Sequence, residues 1–165
     1  MNLNYLKMIK NKTIALIAHD SRKADMVEWV GHNASTLLLN ELVCTGTTGT
    51  LVNNILKKYE EPAILGPGFS RAFIRKIDIK KSGPLGGDAQ IAAMVVEGKI
   101  DLCIFLIDDL TANPHEADIQ MLLRQCRIHN IPVACNRASA DFMITSDLWG
   151  TEYVATEPKY VHFNR

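Results

Sequence analysis

The stretch Ser82-Gly83-Pro84-Leu85-Gly86-Gly87-Asp88 joins an anion cradle to a single acid. Three glycines and a proline make a tight turn, because glycine takes positive φ freely and proline fixes φ. Ile91, Met94 and Val95 follow at helical spacing, so the turn opens a helix. Unpaired N–H groups at a helix start suit an anion such as phosphate. A carboxylate beside that phosphate is repelled by it, which raises the acid toward the range of a general base. The pairing points to proton abstraction from a small phosphorylated molecule. The plainer reading is a glycine-rich turn whose Asp88 is an N-cap.

Three further clusters could join it. Leu42-Val43-Cys44 runs into Thr45-Gly46-Thr47-Thr48-Gly49, and Leu51, Val52, Ile55 and Leu56 then recur on one helix face. Strand, Gly/Thr loop and helix together can converge hydroxyls and N–H groups on one set of oxygens. It is neither a Walker A loop, since no Gly-Lys-Ser/Thr follows, nor GxGxxG. His19-Asp20-Ser21 ends the apolar run Thr13–Ala18, and Lys23 lies in the first turn of the next helix. A cation is disfavoured there unless an anion sits nearby. Asp108-Asp109 ends a further apolar run, followed by Asn113-Pro114-His115 and Asp118. At a helix start His115 and Asp118 would share a face, and Asp118 could orient the imidazole and favour its protonated form. Each cluster also has an ordinary reading as a strand-end pair, a cap or a solvated side chain.

The elements that must position these groups are short apolar strands alternating with amphipathic helices. Strands are expected at 13–18, 42–44, 77–79, 101–107 and 131–135, with Tyr153-Val154-Ala155 as a candidate last one. Helices are expected after Lys23, at Leu37-Leu38-Leu39, after Gly49, over Gly86–Glu97 with Gly98 closing it, after His115, and from a Ser139 cap through Ile144. Residues 63–76 show no clear period; Gly66-Pro67-Gly68 is a turn, and Phe69–Ile74 fits a short helix near Arg71 and Arg75. The alternation predicts a doubly wound, three-layer α/β/α sandwich around a mainly parallel five-stranded sheet. In such folds ligands bind at the carboxyl ends of the strands. All four polar clusters fall at such ends, which favours an active site over four unrelated caps.

With 165 residues there is room for one full-sized core, and no repeat or linker divides the chain. The 18 basic and 18 acidic side chains balance, leaving no footprint for nucleic acid or a membrane surface. Cys44, Cys103, Cys126 and Cys135 form no CxxC pair, and most lie in apolar runs as small core residues. That usage, with no signal-peptide core before Lys12 and no apolar run of spanning length, predicts a cytoplasmic protein. No HxH or HxxxH spacing supports a metal-dependent hydrolase.

On IALIAHD (14–20) with Lys23, CTGTTG (44–49), SGPLGGD (82–88), EGKID (97–101), Pro114-His115 with Asp118, Ile131–Ala134 and Ala140-Asp141-Phe142, the sequence resembles the methylglyoxal synthase family through most of its length. The resemblance implies a carbon–oxygen lyase that converts dihydroxyacetone phosphate to methylglyoxal and inorganic phosphate without metal or organic cofactor. It implies Asp88 as the base, His115 as the group that polarises the carbonyl, and Asp118 as its support. Lys23, Thr45, Gly46, Thr47, Thr48, Ser82 and Gly83 would hold the phosphate and His19 the rest of the substrate. Asp20 and Asp108 would be nearby supporting carboxylates. It further implies a cytoplasmic homohexamer inhibited by phosphate, with residues 1–165 as one domain.

The sequence departs from the family's usual pattern in three places. A longer segment, about 60–76, precedes SGPLGGD, and is expected at the surface as a lid or interface element. Asp109 stands where proline is usual, and Glu116 where aspartate follows the histidine. The alternative is a non-catalytic regulatory module for a phosphorylated ligand, a use the same fold has in carbamoyl-phosphate synthetase. A similar domain is also part of a purine-biosynthesis enzyme.

Overall fold

Continuous apolar runs form the inner strands of the sheet. In the computed structural model, which describes residues 11–59, 77–153 and 156, these are β1 (Thr13–Ala18) and a strand over Leu102–Leu106. Ile14–Ala18 and the whole of Leu102–Leu106 are buried, as expected of strands covered on both faces. The remaining strands are β2 (Glu41–Cys44), β3 (Asp78–Ile79) and β5 (Val133–Ala134), which makes Leu102–Leu106 β4. The order is β3-β2-β1-β4-β5, and every pairing is parallel.

Alternate strand residues face opposite sides of a sheet, so each inner strand feeds two cores. Ile14, Leu16, Leu42, Ile104 and Leu106 pack on one side. They meet α1 (Lys23–His32), α2 (Ala34–Leu37), α3 (Gly46–Leu56) and a helix over Arg137–Ile144. Ala15, Ile17, Val43, Cys103 and Phe105 pack on the other, against α4 (Gly87–Val96) and α5 (Glu116–Ile128). Arg137–Ile144 is therefore α6. The result is the doubly wound three-layer sandwich expected from the sequence. Each fully buried large side chain, Trp29 and Phe105 among them, contributes roughly 1.5–3 kcal/mol.

α1 and α6 are tied by Trp29 Nε1 donating to Asp141 Oδ1 at 2.8 Å and by an ion pair of Arg137 with Glu28 at 2.9 Å. Cys44, Cys103 and Cys126 are buried free thiols, while Cys135 is exposed. No helix among the described residues is long and apolar enough to cross a membrane.

Several boundaries differ from the sequence expectation. Only Leu37 of Leu37-Leu38-Leu39 is helical. β5 is confined to Val133–Ala134, because Pro132 has no N–H to give; its carbonyl still accepts from Cys103 N at 3.0 Å. The α6 cap is Asn136, whose side chain accepts from Ser139 N at 2.9 Å, so Ser139 is the capped residue and not the cap. Tyr153 is not in a strand. Residues 154–155 and the segment 60–76 lie outside the described residues.

Candidate active site

The chain runs outward from β1 to β3 and returns to β4 on the other side of β1. Ligand crevices form at such a reversal, beyond the carboxyl ends of the strands. There a cavity of about 530 Å³ opens. The loop after β1 brings His19, Asp20, Ser21 and Lys23 to it, and the loop after β2 brings Thr45, Thr47 and Thr48. The turn after β3 adds Ser82, Gly83 and Asp88, and the loop after β4 adds Asp108, Thr111 and His115. All four clusters read from the sequence thus share one cavity.

Asp88 is the second residue of α4, and the N-cap is Gly86, at φ +89° and with no side-chain capping bond. The carboxylate is therefore not the cap that the plainer reading made it. It is 1% exposed, and neither of its oxygens has a hydrogen-bond partner among the described residues. Oδ2 lies 3.1 Å from His115 Nδ1, within ion-pairing distance but without hydrogen-bond alignment. Burial raises the acid's pKa; His115 and His19 pull against that, and Asp118 adds to the rise. Gly83 makes this contact possible. A Cβ there would stand 2.9 Å from Asp88 Oδ2 and 2.9 Å from His115 Cε1.

Hydroxyls and a lysine line the same cavity. Thr45 precedes α3 as its N-cap, with the positive end of the helix dipole behind it. Thr45 and Thr48 are buried, and their hydroxyls touch at 3.5 Å, the limit of a hydrogen bond. Lys23 comes from the start of α1 and pairs with the exposed Asp20, which supplies the anion that position needed. That pairing lowers the Asp20 pKa. Gly46 does not line the cavity. Its N–H is spent on Lys81 O at 3.0 Å, which ties the β2 loop to the turn after β3.

His19 Nδ1 accepts the Asp108 N–H at 2.9 Å, so the ring of the neutral imidazole carries its proton on Nε2. Nε2 is buried and has no hydrogen-bond partner among the described residues. The ring stands edge-on to Phe105 at 5.2 Å and to His115 at 6.4 Å between centroids. The Asp108 carboxylate in turn accepts from Ser21 Oγ at 2.6 Å, Thr111 Oγ1 at 2.8 Å and Leu110 N at 3.0 Å. These donors hold its pKa down at about 2, the Ser21 hydroxyl first.

A methylglyoxal synthase of Treponema socranskii is 54% identical over 159 residues, 96% of this chain and 93% of that protein. The chain belongs to the methylglyoxal synthase family. A methylglyoxal synthase of Proteus mirabilis (strain HI4320) is 43% identical over 149 residues, 90% of this chain and 87% of that one. The crystal structure of methylglyoxal synthase from Elizabethkingia anophelis NUHP1 superposes with a TM-score of 0.77 at 38% identity, covering 94% of this chain and 91% of that one. The family profile described as MGS-like domain matches residues 70–135.

Within this family frame, one expected relationship falls differently. Asp118 lies in the first turn of α5 and does not line the cavity. Its N–H bonds the His115 carbonyl at 3.0 Å, an ordinary helix-start contact. The carboxylate found against the imidazole is that of Asp88, from a different helix. Asp118 acts at a distance, by raising the Asp88 pKa. Ser21 and Thr111 also line the cavity, and their hydroxyls bond Asp108. Ser21 stood in the sequence beside His19-Asp20, but nothing in the spacing told that its hydroxyl would meet a carboxylate from the β4 loop.

Proposed function

We propose that the cavity takes dihydroxyacetone phosphate and that the protein eliminates inorganic phosphate from it to give methylglyoxal. The observation that carries this reading is the buried, unpartnered Asp88 carboxylate set against His115 beside a hydroxyl- and lysine-lined cradle. Membership of the methylglyoxal synthase family supports the same reaction.

Asp88 removes a proton from C3. The C–H pair becomes the C2–C3 double bond, and the carbonyl oxygen becomes the enediolate oxygen. His115 polarises that carbonyl and moves protons about the intermediate, while the His19 Nε2–H holds the rest of the substrate. Once the C3 hydroxyl has passed its proton to the C2 oxygen, the C3 oxygen's pair forms the aldehyde carbonyl. The C2–C3 π pair moves to C1–C2, and phosphate leaves as the C1–O bond breaks. The resulting enol takes a proton at C1, which becomes the methyl group of methylglyoxal. Expulsion needs the C1–O bond aligned with the π system. Lys23, Thr45, Thr47, Thr48, Ser82 and Gly83 hold the phosphate in that alignment. Fixed donors at the oxyanion and a fixed leaving group lower the barrier without reorganisation. A raised acid suits the base, whose contribution is about 10²–10⁴ in rate.

Free phosphate competes for the same cradle and inhibits. We also take the homohexamer as the working assembly; Leu85, Leu110 and Phe142 are exposed apolar side chains of the kind that copies of a chain cover. Light scattering of the purified protein tests it.

The deciding experiment supplies dihydroxyacetone phosphate in the presence of a chelator and measures methylglyoxal and phosphate. Equal release of both, lost in Asp88→Asn, is the expected result. Saturable binding of phosphate compounds with no product would overturn it and leave a regulatory module.

A further inference from the structure

We propose that Ser21 and Thr111 are positioning residues for the elimination: by holding the Asp108 carboxylate they fix the loop whose backbone N–H keeps the His19 proton on Nε2, facing the substrate. The inference rests on the function proposed above and adds two residues to it.

The loops after β1 and β4 leave adjacent strands, in register at Ala18 and Leu106. Three bonds then cross between them. His19 N donates to Leu106 O at 3.1 Å, Asp108 N donates to His19 Nδ1 at 2.9 Å, and Ser21 Oγ donates to Asp108 Oδ2 at 2.6 Å. Thr111 Oγ1 closes on the same Oδ2 from further along the β4 loop, at 2.8 Å. Leu110 N holds Oδ1. One carboxylate therefore gathers a donor from the β1 loop and two from its own.

The consequence for chemistry is in the imidazole. A neutral histidine donates from one nitrogen and accepts at the other. While the Asp108 N–H occupies Nδ1, Nε2 can only donate. If the β4 loop turns away, Nδ1 can take the proton, and Nε2 then presents a lone pair to a substrate oxygen that is gaining negative charge. Charge-assisted bonds to a carboxylate are short and strong, so a clamp built on Asp108 resists that turn better than one of neutral groups. The clamp stays charged across the working range, because its donors keep Asp108 ionised down to about pH 2.

Ser21 and Thr111 are both exposed, so alanine at either leaves the core intact. The test uses the full chain with Ser21→Ala, Thr111→Ala and the double variant, and with Ser21→Thr and Thr111→Ser as rescues. Nitrogen-15 resonances of the His19 ring, read without substrate, report which nitrogen carries the proton. The wild type should show a bare Nδ1 and a protonated Nε2, and the double variant a mixture. With dihydroxyacetone phosphate, kcat of the double variant should fall about ten-fold, short of the 10²–10³ lost when an oxyanion donor is removed outright. KM should stay within about two-fold, since the phosphate cradle is untouched. The hydroxyl-bearing rescues should recover most of the rate. Unchanged ring resonances in the double variant, or wild-type kcat, would overturn the proposal. A wild type that makes no product defeats the proposed reaction, whereas the ring resonances still decide the clamp.

Discussion

Oδ2 of Asp88 lies 3.1 Å from Nδ1 of His115, and neither atom has a hydrogen-bond partner among the described residues. A buried acid left in that condition costs stability when it ionises. Burial is the first cause of its raised pKa.

Asp88→Asn should therefore lower kcat by about 10²–10⁴ and raise the melting temperature at neutral pH. The sign follows from linkage. With the folded pKa above the unfolded value of 3.8, the wild type loses stability as pH rises from there through the folded value. The asparagine variant has no such loss, so the gap in melting temperature should be present at pH 7.5 and close near pH 3. Activity of the wild type should rise with pH through the same folded pKa. A variant that melts lower than wild type at pH 7.5 would contradict the assignment of strain to this carboxylate.

Gly83→Ala places a methyl group 2.9 Å from both Asp88 Oδ2 and His115 Cε1. Overpacking of this kind costs about 1–3 kcal/mol. The acid and the imidazole are the atoms that must move, so kcat should fall at least ten-fold, by roughly the same energy appearing in the barrier. Circular dichroism and kcat measured together check it; full activity in a folded variant would show that the pair tolerates displacement.

Lys23→Met removes a cation from the proposed phosphate cradle. A charge-assisted bond contributes about 1.5–3 kcal/mol, so KM for the phosphorylated substrate and the inhibition constant for phosphate should both rise roughly ten- to hundred-fold. Stability should change little, because the Asp20 side chain is 96% exposed and water takes over its solvation. Equal weakening of an unphosphorylated analogue would place the lysine elsewhere in the chemistry.

Asn136→Ala removes the α6 cap, a bond of 2.9 Å to Ser139 N. The expected cost is about 1 kcal/mol of stability with kcat unchanged, as read by denaturant unfolding beside the activity assay.

The inner sheet was legible because IALIA (14–18) and LCIFL (102–106) are apolar at every position, and only a strand covered on both faces needs that. The outer strands were legible as places rather than lengths. Asp78–Ile79 is a two-residue edge with both side chains exposed, too short for alternation to fix its ends. The site was legible because glycines, hydroxyls and acids repeat at strand ends. What the sequence could not carry is which carboxylate meets which histidine. Asp118 is three residues from His115 and looks like its partner, yet Asp88 arrives from another helix because α4 and α5 pack on the same face of the sheet. Helical spacing reports neighbours along one element only. The Ser21–Asp108 bond is hidden for the same reason, since it joins loops that meet only when β1 pairs with β4.

The placement of β1 between β2 and β4 bears on how the chain is made. During synthesis β1 and β2 leave the ribosome early and can pair at once, whereas the other edge of β1 must wait for Leu102–Leu106. Until then a largely apolar strand stands with open N–H and C=O groups, a template for pairing with another nascent chain. A chain truncated before residue 102 should accumulate as aggregate and not as a folded half, and co-translational chaperones should be found on ribosomes that have passed β2 and not yet cleared β4.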